Sequence, residues 1–243
     1  MWKLDGNPRG KILSTVKLAM EAEQPPFRQQ WLVAEVEQEI VGLAHSILLP
    51  VPPIYAGELG PPGLIMEDCF VDAHAPPETR AELFRATVAD LFDAGARVFL
   101  ASSVEGGDWA YEYARQGFER ITLYFMKTGL SNERDFKDVR PAIKEDVPSI
   151  VAASAINRRI LRSLHPNFWK PHPDADDRFG AWMERSLTLN DRDMFVSDAG
   201  GRLRGYAISQ PATPLHFPIP HDISSVGVID DFFHEEIEDS SMP

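Results

Sequence analysis

The chain has 243 residues, with 24 lysines and arginines against 37 aspartates and glutamates, which gives a formal net charge of −13. Affinity for a polyanion depends on cationic side chains that displace counterions, so this charge argues against a nucleic-acid-binding protein. The single cysteine, Cys69, excludes an intrachain disulfide and any zinc site built from several thiolates. No apolar run approaches a membrane span, and the first residues do not resemble a signal peptide, so we expect a cytoplasmic protein with no membrane partner.

The first half of the chain predicts a mixed α/β unit. Apolar residues three to four positions apart predict an amphipathic helix over 10–22. Two apolar runs around a polar turn predict a hairpin over 31–47. The further predicted elements are a strand over 64–72, a helix that begins at the prolines 76 and 77 and reaches Gly95, a strand over 97–102, a helix over 109–115 and a last strand over 121–126.

A polar stretch over 131–138 predicts a linker between two domains, 1–130 and 139–243. Beyond it the pattern again mixes helices and strands. The predicted elements there are a strand over 139–143, a helix over 146–156, a helix over 179–187, a hairpin over 194–209 and a strand over 226–233. The order of helices and strands in both halves indicates an α/β fold with a mixed sheet.

The second half repeats the first at a shift of 163 residues, without a gap. The segment Met66–Val71, for example, aligns with Ile229–His234. Six identities lie within residues 31–71, at Val33, Gly42, Ala44, Ser46, Asp68 and Phe70. One register that holds through a helix, a hairpin, a proline-rich connection and a strand favours a tandem duplication. The alternative is two ordinary hairpins that share a pattern. The period is too long for a solenoid, so a duplication would produce two related domains.

Several segments of the first repeat carry a family resemblance. They are Val33-Ala34-Glu35, Glu39-Ile40-Val41-Gly42, the acidic segment Met66–Val71, and the Tyr-x-x-x-Gly-Phe pattern of Tyr113, Gly117 and Phe118. Their order and spacing resemble the GNAT superfamily of acyl-CoA-dependent N-acyltransferases. The resemblance implies a GNAT-like fold with one nearly complete unit over 10–127, which lacks the family's first strand and helix. A second unit over 139–234 stops after its acidic strand.

The resemblance also implies acetyl-CoA as the co-substrate. Family members bind the pyrophosphate on backbone amides at a helix start, where unpaired N–H groups and the helix dipole attract an anion. In this sequence Thr79 and Ala81 stand near the family's two glycine positions, and Arg80 between them could contact a phosphate. Phe70 and Val71 would offer backbone groups to the pantetheine arm. The loop departs from the family pattern, since it has no glycine and contains two prolines and two glutamates. A plain helix start is the structural alternative.

Two residues are candidates for catalysis by the same resemblance. Tyr113 stands at the family's general-acid tyrosine, which protonates the departing thiolate. Glu67 lies on the strand that flanks the acceptor amine in the family, and its carboxylate could take the amine proton, directly or through water. The structural alternatives are a helix tyrosine that packs on Phe118 and a carboxylate that accepts loop hydrogen bonds. Cys69 is expected to be an inert core residue. The scattered histidines predict no metal site.

We therefore expect an N-acyltransferase that transfers an acetyl or acyl group to a small-molecule or peptide amine by direct attack in a ternary complex. Two alternatives stay open: a catalytically degenerate GNAT-fold binding or structural module, and another kind of α/β enzyme. The negative charge favours a cationic acceptor, and a homodimer is compatible with the sequence. Eight of the 20 prolines lie in the two equivalent connections before the acidic strands. We expect these connections to be stiff walls beside the acceptor site.

Overall fold

The computed structural model describes residues 3–23, 25, 27–49, 59–130, 136, 138–166, 168–213 and 216–236. The chain divides into two compact units, Met1–Glu119 with Thr213–Ile223, and Arg120–Ala212 with Ser224–Pro243. This division differs from the sequence boundaries in two places, because residues 120–130 fall in the second unit and 213–223 in the first. Most of the predicted linker and most of the first proline-rich connection lie outside the described residues. Among the helices in these ranges, none has both the length and the hydropathy that crossing a bilayer requires.

The first unit has a mixed sheet, which confirms the predicted α/β class. Strand β2 pairs antiparallel with β1, β3 and β4, and β3 also pairs parallel with β5. Helix α2 makes the connection that a parallel pair requires. The elements are α1 (Pro8–Glu21), β1 (Arg28–Val36), β2 (Glu39–Leu48), β3 (Gly63–Ile65), β4 (Phe70–Val71), α2 (Thr79–Asp93), β5 (Phe99–Ala101) and α3 (Asp108–Arg115).

The core of this unit lies between the sheet and α2. A cluster of buried side chains joins the helix to β3 and α3, and it consists of Ile65, Phe84, Leu91, Ala96 and Tyr113. Each large apolar side chain buried in this way contributes about 1.5–3 kcal/mol. The helix comes closest to the sheet at Gly42, where an added Cβ would lie 2.8 Å from Cδ1 of Leu83. The even-numbered residues of β2 beside Gly42 therefore face α2, and the odd-numbered ones face the opposite side.

A segment from late in the chain completes the first unit. Leu4 forms a β-bridge with His221. The amide of Asp5 donates to the carbonyl of Pro220 at 2.9 Å. The Nζ of Lys11 donates to the carbonyl of His221 at 2.7 Å. The connection before β9 is thus held to the beginning of the chain by backbone hydrogen bonds.

The strand predicted over 64–72 is interrupted. Ile65 lies opposite Ser46 and Phe70 lies opposite Leu43, so the four residues 66–69 stand against only two residues of β2. Extra residues of this kind form a β-bulge, which disrupts the ladder and turns side chains to new directions. We call residues 66–69 the bulge. It contains Glu67, Asp68 and Cys69, which the sequence predicted on a continuous strand.

The strand predicted over 121–126 is wrong. No strand is present within residues 118–130, and the side chains of Tyr124 and Phe125 are 71% and 91% exposed. A strand is stable only when its backbone groups pair with a neighbour. In the described part of the chain, β5 ends its sheet and no strand pairs with this segment.

The second unit has a separate, fully antiparallel sheet in the order β6-β7-β8-β9. Helix α4 runs eight residues past its predicted end and packs with α5 on this sheet. Buried apolar side chains from the helices and strands form the core, among them Ile150, Phe179, Met183, Val196 and Ile208. The elements are β6 (Val139–Pro141), α4 (Val147–Leu164), α5 (Ala175–Ser186), β7 (Asp193–Ala199), β8 (Arg202–Pro211) and β9 (Gly227–His234).

The two hairpins share an irregularity at the sequence shift of 163 residues. The register of β1 on β2 slips between Ala34 and Glu35, and the register of β7 on β8 slips between Ser197 and Asp198. The pairing of the acidic strand also corresponds at this shift, as Gly42 with Val71 and Gly205 with His234. The repeat in the sequence therefore extends to strand register, including one defect of the ladder.

Candidate functional site

The sheet of the first unit separates at the end of β5. The last bond between β3 and β5 runs from the amide of Ser102 to the carbonyl of Ile65, at 3.0 Å. Beyond it, β4 pairs with β2 alone. An opening therefore lies between β4 and the residues after β5, and we call it the strand gap. Backbone groups at its edges are available to a ligand because no strand fills it among the described residues.

Val71 presents its backbone to the strand gap. The amide of Asp72 donates to the carbonyl of Val41 at 2.8 Å. Bonded and non-bonded pairs alternate along an antiparallel ladder, so the amide and carbonyl of Val71 face away from β2. By the same alternation, the backbone groups of Phe70 pair with Leu43 and do not face the gap. The Phe70 side chain is instead 58% exposed.

Glu67 lies where the strand gap begins. Its Oε2 accepts a hydrogen bond from Oγ of Ser102 at 3.1 Å, which links the bulge to the end of β5. The carboxylate can accept a further hydrogen bond from a ligand. Its neighbour Asp68 turns the other way, towards β2. The two carboxylates of the bulge thus have separate partners.

Asp68 belongs to a buried cluster that the sequence analysis missed. Nδ1 of His45 lies 3.0 and 3.1 Å from the two carboxylate oxygens of Asp68, and Nε2 lies 3.4 Å from Oε1 of Gln29. The imidazole stacks on Trp31, with 4.5 Å between ring centroids and 15° between planes. His45 is only 4% exposed. We call Gln29, His45 and Asp68 the histidine cluster.

Tyr113 is buried on the α2 side of the sheet. Its ring lies 5.5–6.1 Å from the rings of Phe84, Trp109 and Phe118. Its hydroxyl is buried and has no hydrogen-bond partner among the described residues. Burial raises the pKa of the Tyr113 phenol, and the neighbouring Cys69 raises it further. The phenol therefore keeps its proton at neutral pH.

Cys69 packs against the same core cluster as Tyr113. Burial raises the pKa of its thiol to about 12, because the thiolate would lose its hydration. A thiol that stays protonated is a poor nucleophile. This agrees with the expectation of an inert residue, although the structure places Cys69 in the bulge and not on a strand.

The start of α2 carries the residues predicted to bind a pyrophosphate. The amide of Thr79 donates to the carbonyl of Pro76, at 3.0 Å. The first turn of a helix has no internal acceptors, so the amides of Arg80 and Ala81 remain for a ligand. Nη2 of Arg80 donates to Oδ2 of Asp108 at 2.8 Å, and its buried Nε has no partner among the described residues. Two amides and a partly neutralised arginine can therefore receive an anion here.

Within the described residues, no group of three or more histidine, cysteine, aspartate or glutamate side chains could hold a metal ion. The strand gap is thus built from backbone groups, two carboxylates and a phenol. The structure brings Glu67, Val71 and Tyr113 to this region. Thr79, Arg80 and Ala81 lie together in the first turn of α2.

No family model matches the chain, and no curated protein matches it. Solved structures do resemble it. An aminoglycoside N-acetyltransferase in complex with CoA is 14% identical, with a TM-score of 0.39 over 50% of this chain and 88% of the other. An aminoglycoside acetyltransferase from a soil metagenomic sample, in complex with sisomicin, is 22% identical, with a TM-score of 0.38 over 47% and 72%. An aminoglycoside 6'-N-acetyltransferase from Acinetobacter haemolyticus is 15% identical, with a TM-score of 0.39 over 51% and 85%. These proteins are N-acetyltransferases, the class that the sequence resembles.

Proposed function

We propose that the chain is an N-acyltransferase that transfers an acetyl or other acyl group from acyl-CoA to an amine, by direct attack in a ternary complex. The observation that carries the proposal is the strand gap. The inward backbone groups of Val71 and the carboxylate of Glu67 line it, and the unpartnered hydroxyl of Tyr113 lies buried beside the bulge. A thioester and an amine held together in such an opening react as an intramolecular pair, which supplies much of the rate.

The residues fit acetyl-CoA as the co-substrate. The amide and carbonyl of Val71 would bind the pantetheine arm, with Phe70 beside it, and the first turn of α2 at Thr79, Arg80 and Ala81 would bind the pyrophosphate. What the co-substrate supplies is an activated acyl carbonyl. The observation against tight binding is that Asp108 already engages Arg80. A binding module without catalysis is therefore the second candidate function.

The proposed catalytic groups are Tyr113 and Glu67. Tyr113 donates a proton to the departing thiolate, and the burial that raises its pKa keeps that proton in place at neutral pH. Glu67 accepts a proton from the amine nitrogen. Its bond to Ser102 holds the carboxylate at the start of the strand gap. Both roles depend on hydrogen-bond reach to the reacting atoms once the substrates are bound.

We also propose that the two units arose by tandem duplication. The shared shift of register in the two hairpins supports this origin. We place the activity in the first unit, roughly residues 1–130, because the described part of the second unit has no counterpart of α2, β5 and α3. The acceptor is a small-molecule or peptide amine. The net charge of −13 favours a cationic one in the cytoplasm.

The test is a pair of measurements on the full chain. Calorimetric titration with CoA is expected to give saturable binding. Incubation with acetyl-CoA and a panel of primary amines is expected to release free thiol only when an amine is present. Binding without thiol release would favour the second candidate, the binding module. Neither binding nor thiol release would contradict both candidates.

A further inference from the structure

We propose that Asp68 and His45 remove the first proton from an acceptor amine that arrives as its ammonium ion. Asp68 contacts the ammonium group and His45 stores the proton. This inference rests on the proposed function, because it names the charge state of the acceptor at the same strand gap. Neither the sequence resemblance nor the comparisons assign a role to His45.

The geometry of the histidine cluster has room for one additional proton. If Nε2–H of His45 donates to Oε1 of Gln29, then Nδ1 faces both oxygens of Asp68 at 3.0 and 3.1 Å. A bare ring nitrogen and a carboxylate are both acceptors, so a proton must lie between them. All contacts of the cluster are therefore satisfied together when the imidazole is charged. In the neutral form the amide of Gln29 must turn over or one contact is lost.

The surroundings of His45 favour a charged ring. The stacked Trp31 presents a π-face to the imidazole, and such a face attracts a cation. The titratable groups of the adjoining bulge are Asp68, Cys69 and Glu67, while β1 contributes only the uncharged Gln29 and Trp31. Cys69 stays protonated, because burial raises its pKa to about 12. Asp68 is thus the direct charge partner of the ring.

Asp68 is the member of the cluster that a substrate can reach. Its side chain is 21% exposed, whereas that of His45 is 5% exposed. An ammonium group can therefore donate to Asp68 without entering the core. The proton then passes along the existing hydrogen bond to Nδ1 of His45. The buried ring keeps it away from the reacting centre while the amine attacks.

The histidine cluster and Tyr113 lie on opposite sides of the sheet. Gly42 faces α2, so His45, an odd number of residues away on β2, faces the other side. Tyr113 packs on Phe84 of α2. The group that would receive the amine proton and the group that would protonate the thiolate thus flank the sheet from its two sides. Amine and thiol need not compete for one face.

The proton balance requires two acceptors. An ammonium ion loses one proton to Asp68 and His45, which frees the nitrogen lone pair. The C–N bond then forms as the C–S bond breaks, Tyr113 gives a proton to sulfur, and Glu67 takes the second proton from nitrogen. The proton on Glu67 restores Tyr113, and the proton on His45 leaves to solvent. The sum is one amide, one thiol and one released proton.

The experiment compares two acceptors of nearly equal size. Ethylamine is an ammonium ion at neutral pH, and trifluoroethylamine is mostly neutral there because fluorine withdraws electrons. With ethylamine, Asp68→Asn and His45→Gln are expected to lower kcat/KM about 100-fold. With trifluoroethylamine the loss should be within about threefold, since general base assistance for the first proton is not needed. The matched control is Asp231→Asn, the equivalent position of the repeat, which should leave both rates unchanged.

A second readout does not depend on turnover. In the protein labelled with nitrogen-15 in histidine, the Nδ1–H resonance of His45 should lie downfield, as for an imidazole bonded to a carboxylate. It should move upfield in Asp68→Asn, a variant of nearly the same shape. A far-ultraviolet spectrum and a thermal unfolding curve check that each variant folds.

The outcomes separate the two proposals. Thiol release by the wild type, with equal losses for both amines in Asp68→Asn, overturns the role of the pair and leaves the acyltransferase standing. Thiol release with no amine at all overturns the acyltransferase, and this inference with it. An Nδ1 resonance that is the same in wild type and Asp68→Asn contradicts the proton-storing contact itself, whatever the activity.

Discussion

Ser102 donates a hydrogen bond to Glu67 at the point where the sheet separates, with Oγ 3.1 Å from Oε2. The amide of the same serine makes the last backbone bond between β5 and β3. One residue therefore ends the ladder and positions the first carboxylate beyond it. This relationship separates Glu67 from Asp68, although the two are neighbours in sequence.

The first prediction concerns this pair. Glu67→Gln keeps the shape and the bond from Ser102 but cannot accept a proton, so kcat should fall about 100-fold with little change in KM. Ser102→Ala leaves the carboxylate charged but less restrained, and its loss should be smaller, about fivefold. Steady-state thiol release measures both. A larger loss in Ser102→Ala than in Glu67→Gln would contradict the role of the carboxylate as base.

The second prediction sets stability against activity at Tyr113. Its buried hydroxyl has no partner among the described residues. Since an unsatisfied buried hydroxyl costs free energy, Tyr113→Phe should raise the free energy of unfolding by up to about 1 kcal/mol. The same change should lower kcat about 100-fold through loss of the proton donor. Urea unfolding and thiol release are the two measurements. Reduced stability would mean that the hydroxyl has a structural partner.

The third prediction concerns the start of α2. Arg80 is bonded to Asp108, a contact that a phosphate would have to replace. Asp108→Asn should therefore tighten CoA binding a few-fold, whereas Arg80→Ala should weaken it about tenfold, because a charge-assisted contact is lost. Calorimetry measures both without an acceptor. The matched control is Arg85→Ala, on the same helix, which should leave the affinity unchanged. Equal affinities for all three variants would remove the pyrophosphate from this turn.

The fourth prediction is a pH dependence in the second unit. Burial raises the pKa of Asp231 to about 6, although Tyr206 donates a hydrogen bond to its Oδ2 at 2.9 Å. The folded state therefore binds more protons than the unfolded state between about pH 4 and 6, and stability falls as pH rises through that window. Asp231→Asn removes this loss and keeps an acceptor for Tyr206. The variant should be more stable at neutral pH by on the order of 1–2 kcal/mol.

Urea unfolding at about pH 4 and at neutral pH tests the sign. The advantage of Asp231→Asn should be confined to the higher pH, because at the lower pH the aspartate is protonated in the wild type as well. An advantage that is the same at both pH values would show that the carboxyl titrates normally.

The fifth prediction concerns the turn between β1 and β2. Glu37 and Gln38 have φ values of 50° and 70°, a left-handed conformation that costs side chains about 1–2 kcal/mol per residue. The equivalent residues of the second hairpin are Gly200 and Gly201, at 64° and 80°. Gln38→Gly should therefore raise the free energy of unfolding by about 0.5 kcal/mol, the relief of strain less the entropy that glycine loses.

Gly201→Gln is the reciprocal change and should lower the free energy of unfolding by about 1 kcal/mol. Both changes lie in exposed turns away from the strand gap, so activity serves as an internal control. Opposite signs are required, and a loss of stability in both variants would contradict the argument from the turn.

The helices and the hairpin could be predicted from the sequence, because apolar periodicity and turn residues are local signals. Helix α1, for example, lies over Pro8–Glu21 where the pattern predicts 10–22. The interruption at the bulge could not be predicted in this way. A run such as Met66–Val71 has the composition of a strand, and only the register against β2 leaves four of its residues unpaired in the ladder. The predicted strand over 121–126 failed for a related reason, since strand propensity supplies no partner.

The histidine cluster depends on one shift of register. The turn at 37–38 alone would place Trp31 opposite Ala44. The slip between Ala34 and Glu35 places it opposite His45 instead, so the two rings share a face. A slip of one residue exchanges the faces of every side chain beyond it. The sequence offers no local signal for the slip, and the contact of His45 with Asp68 follows only from the complete sheet.

The β-bridge between Leu4 and His221 has a consequence for how the chain is made. His221 follows Leu4 by 217 residues. Ribosomes add about 5–20 residues per second, so the partner of Leu4 arrives roughly 10–40 s after it. Until then, the carbonyl of Pro220 and the β-bridge at His221 are not yet available to the beginning of the first unit. The second unit waits as well, since β9 emerges just after the same segment. We therefore expect both halves to complete their folding together and late in synthesis, which makes the nascent chain dependent on chaperones for longer than two consecutive domains would be.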